Sequence, residues 1–213
     1  MKPFAASVAL IRALMLVGSL TFAYAAHGAD DVVPPPQAQV LTTKTGVRFG
    51  IWPAKPQSPA PTLFLLANSI EGTLNDLYFR QSGNMLAKQG YLCVSVDLPC
   101  HGQERRKGEP AELVGWRRRC ELGDDFVADV TKRCSAVLDE LIATGLTDAE
   151  KIAVCGTSRG GFMGMHFAAA DPRVKCVVAF GLLTDMTVLR EFNGIERREL
   201  AQAARRSVHP APR

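Results

Sequence analysis

Histidine is scarce in this chain, with four residues in 213. No Cys/His group has the spacing of a zinc site. Aromatic residues make up only 7%, and none is interleaved with the two basic clusters, Arg105-Arg106-Lys107 and Arg117-Arg118-Arg119. A nucleic-acid partner is therefore excluded, and the clusters read as solvated loop surface. The net charge of +4 is modest. There is no internal repeat and no nucleotide or flavin signature, so no cofactor is expected. The longest apolar run, Ala13 to Ala25, is short for a membrane span.

That run has the form of an export signal. Lys2 and Arg12 supply positive charge, Gly18, Ser19 and Thr21 are its only interruptions, and Ala23-Tyr24-Ala25 offers a small-x-small cleavage pattern. Ala26-His27-Gly28 is a second choice, and an uncleaved anchor is the competing reading. Residues 1–25 are thus expected to be a signal peptide and 26–38, with Pro34-Pro35-Pro36, a linker. The mature protein is expected in the periplasm or outside the cell. Six cysteines permit disulfides in that setting. Cys93, Cys155 and Cys176 fall in apolar strand-like runs and read as buried thiols. Cys100, Cys120 and Cys134 leave room for one bridge, which the sequence does not choose.

The chain then alternates between two periodicities. Gln39 to Thr43 and Val47 to Trp52 flank Thr45-Gly46 as a hairpin. Thr62 to Ala67 and Tyr91 to Val96 are continuous apolar runs, as in strands covered on both faces. Thr73 to Gln89 reads as a helix capped by Asn75, with Leu77, Met85 and Leu86 inward and Gly90 at its end. Residues 102–123 form a polar, arginine-rich insertion over the carboxyl edge of the sheet. Its Trp116 is a candidate for lining a pocket, against the plainer reading of a surface loop. Phe126, Val130, Cys134, Val137, Leu138 and Leu141 recur at helical spacing after Asp124 or Asp125. The helix 159–170 and a buried strand, Val174 to Leu182, follow. The alternation predicts an α/β fold, a mostly parallel sheet with helices on both faces.

The chemistry is concentrated in Lys151-Ile152-Ala153-Val154-Cys155-Gly156-Thr157-Ser158-Arg159-Gly160-Gly161. A strand-like run enters Gly-x-Ser-x-Gly and a helix leaves it, which is the context of a nucleophile elbow. Gly156 and Gly160 stand where the turn has no room for side chains. Ser158 is the candidate nucleophile, at a helix start whose amides can hold an oxyanion.

The order of elements, with Asp97-Leu98-Pro99-Cys100-His101-Gly102 after one strand and Gly156 to Gly161 after the next, resembles the α/β-hydrolase superfamily. The approach Leu146 to Ile152 into Gly-x-Ser-x-Gly-Gly is similar to the dienelactone-hydrolase and prolyl-oligopeptidase branch. The likeness covers roughly 40–190. It implies Ser158 as nucleophile and the Arg159 N–H as one oxyanion donor. The second donor would come from the turn after the Thr62–Ala67 strand, at Ser69 in preference to Asn68. Many members show His-Gly at that turn, and this chain does not.

The departure lies at the other end. The resemblance implies a base and an orienting acid after two further strands and their helices, and residues 194–213 show only an arginine-rich tail, expected to be disordered. The hydrolase core, 39–193, is therefore expected to be truncated, with a frame change after about Asn193 as one cause. Asp185, just past the last strand, and His209 are the only completion the chain offers for the acid and the base. His101 and His166 read as structural, and Asp97 as a turn residue. An open edge at Val174 to Leu182 is expected to drive self-association.

The expected activity is that of a serine hydrolase acting on an ester or amide, with a small-molecule or peptide substrate. The missing propeller tilts the expectation towards an esterase-like or dienelactone-hydrolase-like domain. An acyltransferase would use the same serine. The alternative is a non-catalytic, hydrolase-like binding module that keeps the elbow without the base.

Overall fold

The computed structural model describes residues 37–195. The expected signal peptide, most of the linker, and the tail with His209 lie outside the described residues. The first strands, β1 (Gln39–Thr42) and β2 (Arg48–Trp52), form the expected antiparallel hairpin, with Gln39 opposite Ile51. Its turn closes because Thr43 Oγ1 accepts the Val47 N–H at 2.9 Å and Gly46 adopts φ +88°. That left-handed angle favours a residue without Cβ.

Strands β3 (Ala60–Leu66), β4 (Leu92–Ser95), β5 (Thr147–Thr157) and β6 (Val174–Phe180) are mutually parallel, and β2 joins them antiparallel through β4. The sheet order is β1-β2-β4-β3-β5-β6. Apolar runs on both faces of β3 explain its central place. Phe64 and Leu66 face one core and Leu63 and Leu65 the other. The larger core contains the helix Phe126–Ala143, whose six residues predicted to face inward are all buried. Asp125 caps that helix by accepting the Ala128 N–H at 3.0 Å. Each fully buried Val or Leu in such a stripe contributes about 1.5–3 kcal/mol.

The single helix expected over 73–89 is instead two short ones, α1 (Ile70–Leu74) and α2 (Gln81–Ala87). Asn75 ends the first, and its side chain accepts the Ala38 N–H at 2.8 Å. Asp76 Oδ1 then takes the Tyr78 and Phe79 N–H groups at 2.7 and 3.3 Å. Such an Asx turn competes with helix for the same amides. As a result Leu77 and Met85 are exposed and only Leu86 packs on the smaller core.

Residues 102–123 contain a helical turn, Gly102–Glu104, and helix α3 (Glu112–Leu122). Trp116 lies on α3 and not on a surface loop. It is fully buried, donates Nε1–H to the Pro99 carbonyl at 2.7 Å, and packs 5.3 Å from Phe126. Arg119 and Glu109 form a buried ion pair at 2.7 Å that ties α3 to its own approach. The Arg119 hydrogen bonds hold the Glu109 carboxyl down at about 2. The folded-state pKa is lowered, so this stabilisation is full above the ordinary glutamate range and is lost as pH falls from about 4.5 towards about 2. Glu109→Gln leaves a buried guanidinium without its charge partner and is expected to cost about 3–5 kcal/mol at neutral pH. Urea unfolding at pH 7 and pH 3 checks this, the gap between variant and parent narrowing at the lower pH.

The cysteines resolve an open alternative and correct one expectation. Among the described residues no disulfide forms, and Cys100, Cys120 and Cys134 are separately buried thiols. Burial raises the Cys100 and Cys134 thiols to about 12. Cys176 is exposed rather than buried. It lies on β6, which has one strand neighbour among the described residues and ends at Phe180 rather than Leu182. Val178 and Phe180 are exposed beside it.

Candidate active site

Helices α4 (Phe126–Ala143) and α5 (Arg159–Ala170) pack together on one face of the sheet, and α5 starts directly from the end of β5. Between β5 and α5 stands Ser158 at φ +52°, ψ −116°. This is the backbone of the first central residue of a type II′ turn, where glycine dominates. The turn is held by the Ser158 N–H on the Phe180 carbonyl at 2.8 Å and by the Phe162 N–H on the Ser158 carbonyl at 3.1 Å. Two glycines make it possible. A Cβ on Gly160 would lie 1.8 Å from the Leu66 carbonyl oxygen, and one on Gly156 would lie 2.3 Å from that of Gly160. The start of α5 is therefore pressed against the end of β3.

That contact brings the turn after β3 next to the elbow. Ser69 caps α1 by accepting the Gly72 N–H at 3.0 Å. The Asn68 N–H is used by Thr73 Oγ1 at 3.0 Å and the Ile70 N–H by Asp97 Oδ1 at 2.8 Å. No described residue accepts from the Ser69 N–H. The Arg159 N–H is in the first turn of α5, where helical amides lack intrahelical acceptors.

The other candidates separate. His101 Nδ1–H is directed at the Pro99 carbonyl at 2.8 Å, which leaves Nε2 to accept from Arg159 Nη1 at 3.2 Å. Burial first, opposed by the Pro99 carbonyl and reinforced by the Arg159 charge, lowers its pKa and so favours the neutral ring. His166 is buried edge-on to Phe162, and desolvation pushes it down to about 4. The Ser158 hydroxyl is bonded to no described side chain. Asp185 caps the short helical turn Met186–Val188, accepting the Thr187 N–H at 2.9 Å. The pairing of Asp185 with His209 falls partly outside the described residues.

Two features escaped the sequence reading. Arg159, the residue after the serine, ion-pairs with Glu112 at 2.9 Å, so α3 is strapped to the elbow. A cavity of about 290 Å³ opens on the face of β5 away from α5, lined by Tyr78, Phe79, Ser82, Met85, Cys155 and Phe180. Thr157, immediately before the serine, also borders it. No spacing signal could announce this cavity, because its wall depends on the break between α1 and α2.

A mostly parallel sheet in which β5 enters a strained serine turn and continues into a helix defines the elbow class of α/β folds. The chain belongs to the alpha/beta hydrolase family, whose sequence profile matches residues 72–213. It is 32% identical over 109 residues to the hydrolase LUC6 of a Fusarium species, covering 51% of this chain and 23% of the relative. It is 23% identical over 159 residues to 2,6-dihydropseudooxynicotine hydrolase of Paenarthrobacter nicotinovorans, covering 74% and 38%. The chain thus spans well under half the length of these relatives. Among solved structures it is similar to TT1662 from Thermus thermophilus, with a TM-score of 0.55, 18% identity, and coverage of 80% and 66%. A 2,6-dihydroxy-pseudo-oxynicotine hydrolase structure aligns with a TM-score of 0.51, 19% identity, and coverage of 83% and 47%. These likenesses establish the α/β-hydrolase fold expected from the sequence.

Proposed function

We propose that this chain is a serine hydrolase acting on an ester or amide of a small molecule or peptide through an acyl-enzyme at Ser158. The observation that carries the reading is the strained Ser158 backbone at φ +52°, enforced by glycines that admit no side chain. Strain of this kind persists only where the surroundings over-determine it, and it concentrates at functional sites. In the proposed reaction Ser158 Oγ forms a bond to the carbonyl carbon, and its proton passes to a base. The carbonyl electron pair moves onto oxygen, which the Arg159 and Ser69 N–H groups receive. Collapse expels the alcohol or amine with that proton, and water then releases the acid.

His209, oriented by Asp185, is the base this reading assigns, since His101 and His166 are engaged elsewhere. Residues 1–25 direct export on the same reading, so the mature protein is periplasmic or secreted. A fluorophosphonate probe tests the activity. Stoichiometric labelling that disappears in Ser158→Ala is the expected result. A folded protein that stays unlabelled overturns the reading in favour of a hydrolase-like binding module.

A further inference from the structure

The turn 68–70 is clamped twice by the segment that follows β4. The Leu98 N–H donates to the Asn68 carbonyl at 3.0 Å, and Asp97 Oδ1 accepts the Ile70 N–H at 2.8 Å. The first bond fixes the peptide plane between Asn68 and Ser69. In a trans peptide the N–H is directed opposite to the carbonyl, so the same bond sets the direction of the Ser69 N–H. The second fixes the next plane, between Ser69 and Ile70. The Ser69 carbonyl is also occupied, accepting the Thr73 N–H at 2.9 Å. Of the polar groups of Ser69, only its N–H is left without a described acceptor.

We infer that Asp97 is a positioning residue for the oxyanion donor at Ser69, an inference that rests on the serine-hydrolase reading above. Three donors converge on its carboxylate. They are the Ile70 N–H, the Gln103 N–H at 3.2 Å and Arg48 Nη1 at 2.7 Å. Asp97 is 2% exposed, and the Ile70 and Gln103 N–H groups have no other described acceptor. A carboxylate accepts from all three, whereas an amide must turn its NH₂ towards at least one of them. The space is reserved as well. A Cβ on Gly102 would lie 2.3 Å from Asp97 Oδ1. Arg48 is in turn held by Glu71 on α1, so the ion pair links both sides of the turn to one carboxylate. The sequence reading of Asp97 as a turn residue is thereby extended: it organises two turns, its own and the one carrying Ser69.

The test compares labelling of Ser158 by a phosphonofluoridate and by its thiophosphoryl counterpart, on the full chain. Both form the same Oγ–P bond and expel fluoride, but sulfur is a weak acceptor and gains little from the oxyanion donors. Loss of an oxyanion donor costs about 100–1,000-fold in rate, and a misdirected one forfeits part of that. Asp97→Asn is expected to slow the oxo probe by about tenfold or more and the thio probe far less, so that the oxo/thio ratio falls. A purely structural role would slow both probes alike. Arg48→Gln, at a partly exposed position, is expected to lower the ratio in the same direction by less. A wild-type protein unlabelled at Ser158 overturns the hydrolase reading and this inference together. A labelled wild type whose ratio is unchanged in folded Asp97→Asn overturns the positioning role alone. If Asp97→Asn does not fold, an unchanged ratio in Arg48→Gln does the same.

Discussion

Gly160→Ala is expected to be severely destabilised, although alanine is the better helix former. Gly160 is in the first turn of α5, and intrinsic propensity alone would favour the substitution by about 1 kcal/mol. The new Cβ would lie 1.8 Å from the Leu66 carbonyl oxygen, 2.3 Å from its carbon and 2.7 Å from the Ala67 nitrogen. All three atoms are backbone, in the central strand of the sheet and just after it, so no rotamer change relieves the contact. Either α5 withdraws from β3 or the end of β3 moves, and both open the larger core around Phe64 and Phe167, whose rings are 5.1 Å apart. The cost is expected to exceed about 4 kcal/mol, a large share of the 5–15 kcal/mol that stabilises a typical domain. Gly164→Ala is the control on the same helix. Its Cβ would meet Val154 Cγ1 at 2.8 Å, a side-chain methyl that can shift, so a folded protein with a modestly lower Tm is expected. Circular dichroism and thermal unfolding of the two variants check the contrast. A cooperative transition for Gly160→Ala near the wild-type Tm would show that α5 does not press on β3 as described.

The residues that were legible in the sequence share one property: their signal is local. The α4 stripe repeats at a fixed spacing, the hairpin has its Gly46, and the elbow carries its glycines within five positions of chain. The failures are where a non-local or competing interaction decided the outcome. Asp76 takes two amides that a helix over 73–89 would have used, and nothing in apolar periodicity registers that competition. Trp116 looked like part of a polar loop because its neighbours are arginines, yet its indole reaches a carbonyl 17 residues away in a fully buried place. Cys176 reads as core because β6 is apolar on both faces, but burial depends on what lies across the strand, and no alternation in the sequence reports that. Asp97 is the instructive intermediate. Its position at a strand end was visible, while the three donors that meet on it come from β2, the first residue of α1, and the helical turn after β4.

Removing the whole side chain of Ser158 is expected to raise stability while abolishing labelling. At φ +52° and ψ −116° the backbone occupies a region nearly reserved for glycine. A residue with a Cβ held there costs about 1–3 kcal/mol. Ser158→Gly removes that cost but adds freedom to the unfolded chain, an opposing term of about 0.5–1 kcal/mol. The net gain is then about 0–2.5 kcal/mol, or up to a few degrees in Tm for a chain of this size. Ser158→Ala separates the two contributions, because it deletes the hydroxyl and keeps the Cβ. The hydroxyl bonds to no described side chain, so its loss leaves little unsatisfied, and the alanine variant is expected within about 0.5 kcal/mol of wild type. Both variants lose fluorophosphonate labelling completely, but only the glycine variant gains stability. Chemical unfolding of the three proteins side by side checks the order glycine above alanine and serine. If glycine falls below alanine, the elbow stores no strain, and its backbone geometry does not mark Ser158 as a nucleophile.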